Sequence, residues 1–476
     1  MTHRSLFLNR CLIAALIGGA PVSALAQTPA APPPAVAPTP AAPTPVAPVT
    51  TPAPAPAAPT TPAPAPAPAA VSPVPAAPVS PALPEPAPVI PPPTQEKPKK
   101  DKSPFVLASE DDAHRLEFKG IAQGDGRFFL TDRGGVSSFV LRRVRPNIDA
   151  KIFRYYEFRL QAEFAGTRVQ AIDAYGNLHF IDELQLRVGK GKSPVGLERL
   201  QSLRDVMFAE RAFPTQLVPN RDVGAQAHGK ISDGMVEWAL GVYNGVPNGG
   251  SGETDTNDSK DLEGRVFVLP FKKSDLDALA GLGAGFAGTW GNQFGALSPY
   301  VTTGQQAFFS YASSAVAFGK RVVLAPQAYY YGGPISLMWE LARVKEHIEN
   351  FTNGAKGTVG TTAWQLAGSF TLGGTPSYKG VKVDHPFDPA NGGFGALELA
   401  VRYHDLRVGD LAFERGFANR NSAAQRASAF TLGANWHLAN GYRALVNYES
   451  TTFRGGSRDG SRPAETLLVT RLQASF

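Results

Sequence analysis

Between Lys190 and Arg221 six cations, Lys190, Lys192, Arg199, Arg204, Arg211 and Arg221, stand against three acids, Glu198, Asp205 and Glu210. Guanidinium and ammonium groups held close together raise the local anion concentration and replace part of an anion's hydration shell. The same charges can instead pair with each other and hold the segment in place, and the sequence leaves both roles open for each residue. The segment also carries Leu197, Leu200, Val206, Met207, Phe208 and Phe213. A loop this apolar is not expected to wave in solvent. It is expected to fold into the interior of whatever holds it, with Ser193-Pro194 capping a short helical turn.

Other chemistry finds less support. Cys11 is the only cysteine and falls in an N-terminal apolar stretch, so disulfides and thiolate chemistry are excluded from a mature chain. The eight histidines show no metal-ligand spacing. Asp255, Asn257, Asp258 and Asp261 could wrap a calcium ion, but a solvated acidic loop accounts for them as well. Gly283 to Gly288 has a dinucleotide-binding spacing without the helix it needs, and reads as a glycine-rich strand. Ser428 and His437 supply a hydrolase's residue types, yet His437 falls on the inward parity of its strand, away from lipid. No enzyme activity, cofactor, metal or nucleic-acid partner is expected.

The elements that must position the cationic segment are strands. In the last residues Leu468, Thr470, Leu472, Ala474 and Phe476 alternate with Arg471, Gln473 and Ser475. Residues two apart share one face of a strand, so this terminus has an oily and a wet side. Arg115, Glu117, Lys119, Gln123, Asp125 and Arg127 likewise oppose Leu116, Phe118, Ala122, Phe128 and Leu130. Next come Arg143, Arg145, Asn147, Asp149 and Lys151 against Val140, Val144, Ile148 and Ile152, then Glu157, Arg159, Gln161 and Glu163 against Tyr156, Phe158, Leu160 and Phe164. Continued to Phe476, the pattern gives about sixteen strands, an even number as bacterial outer-membrane barrels require. Connections near 153–155, 181–182, 232–234, 332–334 and 439–441 are short. Those near 246–260, 292–318, 348–360 and 408–425 are long. Only 375–393 breaks the rhythm, falling where a short turn belongs. Pro146 predicts a bulge or a break in pairing within the second strand. Phe128, Phe129, Phe139, Tyr155, Tyr156, Tyr329, Tyr330, Tyr331, Trp339 and Trp436 are expected to form interfacial girdles. The fold class is all-β, a transmembrane antiparallel barrel.

Ahead of the strands, residues 1–26 read as a signal peptide, with Arg4 and Arg10, an apolar stretch, and Ala24-Leu25-Ala26 before the cleavage point. Residues 27–104 form a Pro/Ala-rich segment, in which 28 of the chain's 43 prolines fall between Pro29 and Lys100. Proline removes backbone donors and fixes φ, so an extended, disordered periplasmic tether is expected. Its closing lysines, Lys97, Lys99, Lys100 and Lys102, could touch the cell wall or simply stay solvated. The barrel is assigned to residues 115–476, in the bacterial outer membrane with its lipid and lipopolysaccharide.

Several runs resemble the phosphate-selective porin O and P family. They include Gly124-Asp-Gly-Arg-Phe-Phe, Phe139-Val-Leu-Arg-Arg-Val-Arg-Pro, Arg187-Val-Gly-Lys-Gly-Lys-Ser-Pro-Val-Gly-Leu-Glu-Arg-Leu, Phe208-Ala-Glu-Arg-Ala-Phe-Pro, Val218-Pro-Asn-Arg-Asp-Val-Gly and the closing Thr470-Arg-Leu-Gln-Ala-Ser-Phe. The resemblance implies a homotrimer of sixteen-stranded barrels passing small anions, phosphate or polyphosphate in the founding members. It implies Lys190 and Lys192 at the constriction and arginines along the pore, here Arg142, Arg143 and Arg145. Arg127 and Arg199 join them as candidates, from inward parity and from the loop. By parity Arg143 and Arg145 face the lumen and Arg142 faces lipid or a rim. A weakly selective diffusion channel and a tethered structural envelope protein stay open beside the anion channel.

Overall fold

The computed structural model describes residues 105–131, 135–255 and 257–476. The leader and the Pro/Ala-rich segment lie outside the described residues. Sixteen long strands, numbered β1 to β16, form the wall. The first eight are Arg115–Phe129, Ser138–Ile152, Tyr156–Glu163, Gln170–Ile181, Leu184–Lys192, Arg221–Ile231, Val236–Tyr243 and Asp261–Val268. The second eight are Leu282–Ala296, Ala315–Gly332, Ile335–Asn350, Lys356–Leu372, Ala396–Val408, Ala424–Ala439, Tyr442–Ser457 and Glu465–Ser475. Each pairs antiparallel with the next. β16 returns to β1, with Ala122 opposite Ala474 and Arg127 opposite Val469, which closes the sheet and removes its edges.

The two faces invert the arrangement of a water-soluble domain. Leu472 is 69% exposed, whereas Arg471 beside it is 2% exposed. Leu240, Val266, Phe286, Leu366 and Leu399 point outward in the same way, while Arg321, Arg402, Gln365 and Asn435 are buried inside. Such an outer surface is solvated by lipid, and the polar interior is satisfied by its own hydrogen bonds and water. Among the described residues no helix is long and apolar enough to cross a membrane. The strands do the crossing.

Several sequence expectations need correction. Arg142 does not face lipid. The ladder steps from Gln123–Arg143 to Gly124–Leu141, so Arg142 is the extra residue of a bulge and swings inward. The break in pairing expected at Pro146 is found: Pro146 pairs in register with Gly120, but on its other side the β2–β3 ladder stops at Asn147. Tyr329 and Tyr331 belong to an interior aromatic group rather than to a girdle, their rings 5.2 Å apart. The expected long connection at 348–360 shrinks to 351–355, because β11 and β12 run on to Asn350 and from Lys356. The helical turn in the cationic loop spans Leu197–Leu200 with Gly196 as its N-cap, not Ser193 or Pro194.

Other segments besides the cationic loop turn inward. Residues 297–314 fold inward, and their Tyr300, Phe308 and Phe309 join Phe213, Leu217 and Phe417 in one buried apolar cluster. Residues 373–395 carry a small hairpin, Gly374–Ser377 paired with Gly380–Val383, at the end of the barrel opposite the long loops. This hairpin is the excursion that the turn rhythm could not accommodate.

Candidate functional site

After β5 the chain turns inward at Gly196, whose φ of 91° suits glycine. An added Cβ there would lie 2.9 Å from the Val218 side chain, which closes the loop's other limb. The loop, residues 193–220, is then fastened along the wall. Arg402 donates to the Glu210 carbonyl (2.9 Å), Arg443 to that of Val206 (2.8 Å), Asn435 to that of Met207 (2.8 Å) and Gln473 to that of Arg204 (3.0 Å). In the other direction the Glu198 N–H donates to Glu340 (2.9 Å) and the Ala209 N–H to Asn447 (2.7 Å). Buried backbone groups need partners, and wall side chains supply them here.

Glu210 is the strongest anchor. Its carboxylate accepts from Arg142 at 2.6 and 3.1 Å and from Arg127 and Arg471 at 3.2 Å each, and lies 3.6 Å from Arg143. Burial alone would raise this carboxyl, but Arg142, Arg143 and Arg471 outweigh it and hold it well below the ordinary carboxylate range.

Fastened to β11–β16 and β1, the loop leaves space against β1–β6. That space is a cavity of about 460 Å3 lined by seven cations, Lys119, Arg145, Arg159, Arg187, Lys192, Arg204 and Arg221, and by one carboxylate, Asp173. Most of these cations are partly neutralised. Arg145 pairs with Glu163 (2.5 Å), Arg159 with Asp149 through two bonds (2.6 and 2.9 Å), and Arg221 with Asp173 (2.8 Å). Arg187 and Lys192 differ. Arg187 lies over the Tyr175 ring at 4.7 Å. The Lys192 ammonium donates to the carbonyls of Leu200 and Gln201, each at 2.9 Å. Among the described residues neither has a carboxylate within ion-pair distance.

Of the six candidates read from sequence, Arg145 and Lys192 line this cavity. Arg127 and Arg143 sit at the Glu210 anchor instead. Arg199 turns back into the loop and donates to the Thr215 carbonyl. Lys190, which the resemblance puts at the constriction, is 8% exposed and donates to the Ala171 carbonyl (2.7 Å) and Glu253 (3.0 Å). Arg187 is not among the six, although its parity matches Gln185 on a strand whose outer face is Leu184, Leu186 and Val188.

A second cavity, about 540 Å3, lies on the far side of Arg204, which borders both. Its lining is mixed: Glu198, Asp205 and Glu398 with Lys379, Lys382 and Arg443, and His437 beside them. The hairpin forms one of its sides. Tyr378, at the hairpin tip, donates to the Leu197 carbonyl (2.6 Å), and its own carbonyl accepts from Gln201 (3.0 Å). Its ring stacks on Tyr329 at 5.3 Å, and Tyr329 lies 4.8 Å from Phe267. The Phe267 ring covers Gly283 and Gly285, where a Cβ would come within 2.5 and 2.4 Å of neighbouring atoms. The glycine-rich strand thus lets an aromatic stack lie flat on the wall and receive the hairpin.

A family model described as phosphate-selective porin O and P matches residues 120–476. No curated protein matches the chain. Among solved structures it is similar to in-vitro folded OmpT, an outer membrane protein of Vibrio cholerae, with 12% identity, a TM-score of 0.51 and 78% of this chain and 99% of that one covered. The outer membrane channel DcaP of Acinetobacter baumannii aligns at 10% identity and a TM-score of 0.50, over 78% and 99%. An anion-selective porin from Comamonas acidovorans aligns at 13% and 0.50, over 76% and 100%. At these identities the likeness is one of fold.

Proposed function

The chain belongs to the phosphate-selective porin O and P family and is an outer-membrane channel, and from that premise we propose that it passes small anions by passive diffusion. The carrying observation is the cavity beside the inward loop, with seven cations against one carboxylate. An anion entering it exchanges water for guanidinium and ammonium donors in a narrow space where salt screens less than at an open surface. Phosphate, which the family's description names, is the first permeant to test, with polyphosphate beside it. The anion-selective porin from Comamonas acidovorans, similar in fold, points the same way.

A weakly selective diffusion channel is the second reading. The observation favouring it is that Arg145, Arg159 and Arg221 already have carboxylate partners. Reversal potentials in planar bilayers under a potassium chloride gradient separate the two. A potential on the anion side is expected, and one near zero would favour the second reading.

Homotrimer assembly belongs to the same proposal. β3, β7 and β8 are 8 residues long, against 16 to 18 in β10, β11 and β12. At about 3.3 Å per residue and a tilt of about 45°, such a strand rises roughly 19 Å, short of the apolar band of about 25 Å. A wall this low is better covered by protein than by lipid. Cross-linking in native membranes should trap three copies; a monomer alone would refute the assembly.

A further inference from the structure

The cationic cavity has a second face that inorganic anions do not use. On β1 the inward series Lys119, Gln123, Asp125 and Arg127 is interrupted by Ile121, and Ile121 lies on the cavity. Leu200 and Leu203 of the inward loop line it too, as does Tyr175. Neither leucine is drawn into the loop's own buried core, which takes Leu197, Val206, Phe208 and Phe213 instead. A passage built only for hydrated phosphate gains nothing from aliphatic groups here, since each exposes hydrocarbon to the water around the ion. A ligand that benefits carries an anionic head for Arg187 and Lys192 and a short apolar body for Ile121, Leu200 and Leu203. The Tyr175 ring under the Arg187 guanidinium adds a surface that tolerates both.

We infer that the preferred permeants are organic anions, carboxylates with a short hydrocarbon body, which the cavity binds by its head and its flank together. This rests on the anion-channel reading and narrows it. The volume of about 460 Å3 falls in the range of small-molecule sites and accommodates such a molecule with water to spare. The binding stays weak because both faces remain wet, as conduction requires.

The test uses the full-length protein in planar bilayers. Chloride current is titrated with acetate, propionate, butyrate and valerate, which share one charge and differ in methylenes, and separately with inorganic phosphate. Complete burial of a methylene is worth a factor of about four, so partial burial should lower the half-blocking concentration about twofold per carbon. Butyrate and valerate should then block at lower concentration than phosphate. A flat series with an anion-side reversal potential would overturn this inference and leave the anion channel standing. A reversal potential near zero would remove the reading beneath it. The double variant Leu200→Ser, Leu203→Ser should flatten the series, and a series that stays steep there would overturn the assignment of the apolar flank. Heat-modifiable migration of the variant checks that its barrel has formed.

Discussion

Arg142 donates through both Nε and Nη2 to the two carboxylate oxygens of Glu210, at 2.6 and 3.1 Å, so a bulged residue of the wall grips the tip of the inward loop by a two-point bond. Such bidentate pairs fix orientation as well as distance. The bulge makes it possible: by strict alternation Arg142 would face lipid, and Arg143 alone would reach the loop. Two consecutive arginines thereby serve one carboxylate.

Glu210→Gln should therefore loosen the loop more than its single charge suggests. Arg471 and Arg127 would keep Asp125, but Arg142 and Arg143 would lose their carboxylate. Leaving buried guanidinium groups unpaired costs about 3 to 5 kcal/mol. The variant should lose its heat-resistant folded band at lower temperature and show noisier open-channel current. Wild-type values for both would mean that the loop is held by its backbone bonds alone.

The pH dependence follows from the same carboxylate. Its value in the folded protein is depressed, so its contribution is complete above the ordinary carboxylate value and is lost only as pH falls through the depressed one. The stability difference between wild type and Glu210→Gln should stay constant from about pH 8 to about pH 5 and narrow in stronger acid. Thermal dissociation series at several pH values read this directly. A difference that already shrinks near neutrality would contradict the depressed value.

What alternation alone could reach was the wall. The strict parity of β16, with Arg471, Gln473 and Ser475 inside, reads correctly because lipid and lumen impose opposite demands on successive residues. It reads less well where those demands change. Beyond the lipid zone of β11, Val344 and Ile348 join Glu346 on the inward face beside the buried apolar cluster while Arg343 and Lys345 are exposed, so the alternation of polarity blurs although the strand continues. Alternation therefore ends the strand too early. Parity alone misplaces Arg142, because one extra residue shifts it without leaving a mark in composition. Lys190 belongs by motif to the constriction, but its ammonium is held by Glu253 in another loop, a contact 63 positions away. The hairpin at 373–395 announced itself only as a turn of the wrong length, and its destination depends on aromatic contacts with Tyr329 and the Leu197 carbonyl.

That hairpin gives a prediction of its own. Tyr378→Phe removes only the hydroxyl bond to the Leu197 carbonyl, a loss of about 1 kcal/mol, and conductance should barely change. Tyr378→Ala also removes the stack on Tyr329 and should let the hairpin leave its seat. The mixed-charge cavity would then open toward the periplasm, and single-channel conductance should rise while anion preference falls. Equal conductance in both variants and wild type would mean that the second cavity carries no current with or without its stopper.

Selectivity itself should divide the two lysines that open the loop. The Lys192 ammonium reaches the cationic cavity and has only carbonyl partners, whereas the Lys190 ammonium is spent on Ala171 and Glu253 outside it. A unit charge about 6 Å from a permeating anion in water-like surroundings is worth about 0.7 kcal/mol, a factor of about three in local anion concentration. Lys192→Gln and Arg187→Gln should each lower the anion-to-cation permeability ratio by about that factor, and the double variant by about their product if the two act independently. Lys190→Gln should move the ratio much less and instead weaken the seat of the 244–260 loop, seen as earlier proteolytic cleavage there. Reversal potentials across a salt gradient, measured on all four proteins beside wild type, decide the matter. An equal shift from Lys190 and Lys192 would show that the field of the whole loop, rather than the cavity beside Arg187, sets the preference.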